Sequence, residues 1–93
     1  MSYLNIEIGK LYCVKATSIA LPAAMGPYGE WQFTDGKHVI DFYGLFQAIV
    51  MVVGFRRYAY QSLEAEPGLA AILYDEKTYL LDRNQLEVYQ EKP

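Results

Sequence analysis

The chain holds one cysteine, Cys13, and one histidine, His38. With Asp35 and Asp41 close to His38 in sequence, these are the residue types of a thiolate–imidazole–carboxylate nucleophile. A thiol becomes reactive only in an accessible, electropositive setting. Cys13 instead sits in Gly9-Lys10-Leu11-Tyr12-Cys13-Val14-Lys15, which alternates like a strand. Leu11 and Cys13 share one face, and Tyr12 and Val14 share the other. That pattern makes Cys13 a small core residue, so a small enzyme using Cys13 ranks as the last of three readings. No catalytic residue is assigned. One Cys and one His also fall short of the roughly four nitrogen or sulfur ligands of a structural zinc. The carboxylates follow no calcium-loop spacing, and Glu64 and Glu66 fall in a solvated loop. No metal site and no cofactor are expected.

The other chemistry-bearing run is Arg56-Arg57-Tyr58-Ala59-Tyr60. Arginine beside aromatic faces is the composition of a single-stranded nucleic-acid platform, with Arg56 and Arg57 on phosphates and Tyr58 and Tyr60 under bases. The competing reading is an edge strand whose Arg stems cover Tyr rings. Charge favours the second. The net charge is −3, with three Lys against four acids in residues 1–44 and five basic residues against seven acids in 45–93. Neither half offers a basic footprint for nucleic acid or an anionic membrane. Gly26-Pro27-Tyr28-Gly29 has the glycine spacing of a nucleic-acid clamp but no flanking Lys or Arg, and reads as a turn.

The elements that must position these residues are strands. Phe46 to Phe55 is the strongest, with Phe46, Ala48, Val50 and Val52 on one face and Gln47, Ile49, Met51 and Val53 on the other. Its β-branched content argues for strand. A tight connection at Gly54 is expected to return the chain as a paired strand over 56–61. Tyr3 to Ile8 alternates as a short extra strand. Thr17 to Gly36 reads as a long connection broken by Pro and Gly, with a helical turn starting at Pro22 and a short strand at Trp31 to Thr34. Asp35-Gly36 reads as a hairpin turn into a strand over His38 to Tyr43. Leu69 to Tyr74 and Lys77 to Leu81 form a hairpin around Asp75-Glu76. Asp82 to Gln85 reads as a 3₁₀ turn, and Leu86 to Tyr89 as a closing strand.

The chain's 93 residues, 53% hydrophobic and 20% charged, suit a single domain spanning residues 1–93 with one core. A lone cysteine allows no intrachain disulfide, which points to the cytoplasm. The amino terminus lacks the blocks of a signal peptide. The longest apolar run is shorter than the roughly 18 residues of a membrane helix.

This order of elements resembles the SH3-like small barrel: Lys10 to Lys15, a long loop, a three-strand meander, a 3₁₀ turn and a short last strand. The segment Tyr79-Leu80-Leu81-Asp82-Arg83-Asn84-Gln85-Leu86-Glu87-Val88-Tyr89 carries most of the likeness. The resemblance implies an all-β fold, an antiparallel barrel of five or six strands with a long first loop. It brings no peptide specificity, because the aromatic groove and acidic loop of true SH3 domains lack a counterpart here.

A barrel has one interior, so a strand apolar on both faces leaves one face to be covered. The long connection is itself rich in apolar residues. Either it folds back as a lid, or it and the outer face bind a partner. The leading reading is a non-enzymatic protein-interaction module that uses Leu21, Met25, Tyr28, Trp31, Ile49, Met51 and Val53. The partner is another protein or a second copy. A phage- or mobile-element-encoded inhibitor of a host protein fits this profile.

Overall fold

A computed structural model describes residues 5–15, 19–34, 40–41 and 48–89. The expected strand over His38 to Tyr43 therefore lies outside the described residues except at Ile40–Asp41, as do His38 and the Asp35-Gly36 turn. Described strands are β1 (Leu11–Val14), β2 (Ile19–Met25), β3 (Trp31–Phe33), β4 (Ile40–Asp41), β5 (Ala48–Arg56), β6 (Leu69–Tyr74), β7 (Lys77–Asp82) and β8 (Leu86–Val88). A 3₁₀ turn, Arg83–Gln85, separates β7 from β8. The domain is all-β. Among the described residues, no helix is long and apolar enough to cross a membrane.

The strands form one antiparallel sheet in the order β3-β2-β7-β6-β5-β1-β8, with β4 pairing beside β2. The SH3-like barrel expected from the sequence is overturned, because this sheet is open. Its two ends, β3 and β8, do not pair with each other. The reason lies in the long connection. Instead of a loop with a helical turn at Pro22, it supplies β2, which takes the free edge of β7. Pro22 lacks an N–H for a continuous ladder. It sits where β2 changes partner, from β7 at Leu21 and Pro22 to β3 at Ala23, Ala24 and Met25.

The meander is the part most faithful to the sequence. β6 and β7 form the expected hairpin, and Tyr74 pairs with Lys77. Asp75 and Glu76 turn the chain with φ of 51° and 65°. Such a two-residue turn matches the twist of the strands. Asp82 caps the 3₁₀ turn by accepting from the Asn84 N–H at 2.8 Å. Two sequence expectations fail nearby. There is no tight connection at Gly54 and no strand over 56–61, because β5 itself runs on to Arg56. Residues 5–10 form no strand either. Ile6 is buried, Ile8 is exposed, and the Tyr12 hydroxyl accepts from the Glu7 N–H at 2.7 Å.

A β-bulge explains how β5 serves both faces. Val52 pairs with Ile72, and Gly54 pairs with Ala71, so Val53 is the extra residue. An unpaired residue reverses the alternation beyond it. Val50 and Val52 face the first core before the bulge, and Phe55 packs against that core after it. This core also holds Tyr12, Val14, Ala20, Ile72, Leu81 and Leu86. Burying each large aliphatic side chain contributes about 1.5–3 kcal/mol. A second, smaller cluster of Ala23, Trp31, Leu69, Ala71 and Leu80 lies on the opposite face, with Val53 and Tyr58 against it.

Candidate functional site

The second face is treated differently at its two ends. Toward β2 it is covered. Met25 pairs with Trp31, and the β2–β3 hairpin brings the Trp31 indole over Gly54. A β-carbon at Gly54 would stand only 2.7 Å from Trp31 Cδ1, so the bare backbone is what admits the ring. Trp31 is 9% exposed. The guanidinium of Arg56 donates to the Trp31 carbonyl and lies 5.3 Å from the Phe33 ring centroid. Of the two fates expected for the long connection, the lid is thus realised by Trp31.

Toward β1 the same face is bare. Leu11 pairs with Met51, Met51 with Leu73, and Cys13 with Ile49. These residues share one face by register. Leu11, Ile49 and Leu73 are 45%, 43% and 38% exposed, and Cys13 and Met51 are half-buried. At the tip of the β2–β3 hairpin, Met25 and Tyr28 are 58% and 93% exposed.

The partner-binding residues expected from sequence therefore separate into three groups. Ile49 and Met51 belong to the bare patch, and Val53 packs against the second core. Trp31 is buried in that core. Leu21 is half-buried, and Met25 and Tyr28 stand at the hairpin. Sequence reasoning missed Leu11 and Leu73 as members of the patch. The alternation of Leu11 with Tyr12 held the signal for one of them.

The Arg56–Tyr60 run is mostly structural. Arg57 Nε donates to the Ala65 carbonyl at 3.1 Å and the Ser62 carbonyl at 3.3 Å. Its Nη2 donates to the carbonyls of Leu63 at 3.0 Å and Ala65 at 2.8 Å. This guanidinium holds the 57–68 connection in shape. Gln61 assists, its Oε1 accepting from the N–H groups of Tyr58 and Gly68, each at 3.0 Å. Tyr58 donates to Asp82 Oδ2 at 2.6 Å and stacks on Tyr60 with ring centroids 5.4 Å apart. Tyr60 itself is exposed. Glu66 pairs with the buried Arg83 at 3.4 Å.

Two concavities meet at Arg56. One, of ≈ 720 Å³, is walled by Glu30, Gln32, Phe33 and Pro67. The other, of ≈ 370 Å³, is floored by Leu21, Leu69 and Leu80 with Tyr58 and Asp82 at its side. Phe33, Arg56 and Arg57 line both.

Among the described residues, no group of three or more His, Cys, Asp and Glu side chains could hold a metal. Cys13 is half-buried between Ile49 and Glu87 on neighbouring strands. No protein-family model matches this sequence, and no curated protein or solved structure matches it either.

Proposed function

We propose that this chain is a non-catalytic interaction domain that binds another polypeptide through the bare end of its second face. The observation that supports this is the run of exposed apolar side chains at paired positions on three neighbouring strands: Leu11, Ile49 and Leu73, with Met51 between them. Contiguous apolar surface of this kind marks contact sites, whereas single exposed apolar residues need no explanation. An exposed apolar sheet face suits a partner that presents its own apolar surface.

The reading is tested by comparing wild type with Ile49→Lys. Covalent cross-linking and light scattering should find a complex, with a second copy or with a copurifying protein, that the variant loses while keeping its melting temperature. Equal behaviour of the two proteins would remove the bare face from consideration. The nucleic-acid reading gains little support, because Arg57 is largely committed to loop carbonyls.

A further inference from the structure

We infer that the double concavity at Arg56 is a second binding site, separate from the bare patch, for an extended peptide segment carrying a carboxylate two residues from a bulky apolar side chain. The hydrogen-bonding state of its charged walls is the starting point. Glu30 accepts from the Tyr28 N–H at 3.0 Å and from Gln32 Nε2 at 2.6 Å. Asp82 accepts from Asn84 and from Tyr58. Arg57 Nε and Nη2 are held by loop carbonyls. Arg56 differs. Among the described residues its guanidinium makes one hydrogen bond, to Trp31, and rests on Phe33. Arginine has five N–H donors, so most of its capacity faces the concavities it lines.

Charge and shape select the occupant. The larger concavity has Arg56 and Arg57 against Glu30 alone, a local positive excess on a chain of net charge −3. That excess complements an anionic group, and a guanidinium held on an aromatic ring suits a planar carboxylate. The smaller concavity is floored by Leu21, Leu69 and Leu80 and suits an apolar side chain. One extended peptide reaches both with side chains two residues apart, which lie on the same face about 6.6 Å from each other. A long nucleic-acid strand fits less well, since only two arginines line the site and Arg57 is largely held by loop carbonyls.

The experiment is an amide and indole NMR titration of the full chain with two doubly blocked pentapeptides. One carries glutamate and, two residues on, leucine; the other replaces the glutamate with glutamine. The glutamate peptide should bind about ten-fold more tightly, and shifts should centre on Trp31, Phe33, Arg56 and Tyr58. Arg56→Gln should abolish the preference for the glutamate peptide, and Arg56→Lys should keep part of it. Equal binding of the two peptides by wild type, or no binding of either, overturns the proposal without recourse to a variant. So do shifts centred on Ile49 and Met51, which would instead favour the bare patch. An oligothymidylate that moves the Arg56 signals at lower concentration than the glutamate peptide overturns it in favour of nucleic acid.

Discussion

One face of this sheet ends in two ways. At the β2 end, Trp31 lies over Gly54 and the surface is buried. At the β1 end, Leu11, Ile49 and Leu73 meet solvent. The composition of the two ends is similar, so hydrophobicity alone did not decide which is covered. Coverage follows from chain length and backbone shape. A hairpin leaving β7's edge reaches as far as β5, and only a residue without a side chain lets an indole settle there. Beyond that reach the face stays open, and that is where a partner gains most by binding.

The largest test of the contrast is Trp31→Ala. It should cost about 3–5 kcal/mol, read as a lowered midpoint in urea unfolding, while the same change at Ile49 should not. Next is Gly54→Ala, which should expel the indole. Overpacking of this kind costs about 1–3 kcal/mol, and Trp31 fluorescence should shift to the red. An unshifted spectrum with unchanged stability would mean that the ring does not depend on the bare backbone. Arg57→Ala should cost about 1 kcal/mol and speed hydrogen exchange and proteolysis across residues 62–65, leaving the bare patch untouched.

Ile49→Lys should change stability by less than about 0.5 kcal/mol, yet it should abolish partner binding. A large loss of stability would show that the bare end is also structural. The smallest effect belongs to Glu7→Gln. The hydrogen bond and charge of Glu7 hold the Lys10 ammonium above its ordinary pKa of 10.5. A raised lysine contributes below its unfolded value and loses that contribution as pH rises through the folded one. The variant should therefore melt slightly below wild type at neutral pH and converge with it once Lys10 is deprotonated at alkaline pH, with Lys10 titrating at lower pH by NMR.

The sequence made the meander legible for local reasons. Asp75-Glu76 between two apolar runs specifies a hairpin, and Asp82 three residues ahead of Gln85 specifies a capped turn. It also exposed the key problem, a strand apolar on both sides, and one of its solutions. Three things were hidden. Pro22 looked like a helix start because a proline within a strand needs an edge, a strand start or an irregularity in the pairing, and whether β2 offers one is a tertiary fact. Arg57 reads as an edge-strand residue covering a Tyr ring, with a phosphate contact as the alternative; its loop role was hidden because its carbonyl partners are backbone atoms common to every residue type. The open sheet was invisible because strand order at the edges depends on β2, a segment whose Ala-rich alternation is a weak strand signal.

The extra residue in β5 has a genetic consequence. Deleting the codon for Val53 would leave composition nearly intact and restore strict alternation along the strand. Gly54 would stay opposite Ala71 and Phe55 opposite Ala70, so the ring and the indole would keep their faces, and the strand would lose only its local kink and the Val53 side chain on the second cluster. A loss of three nucleotides should thus be milder for this molecule than the insertion of three, which would turn Phe55 away from its core.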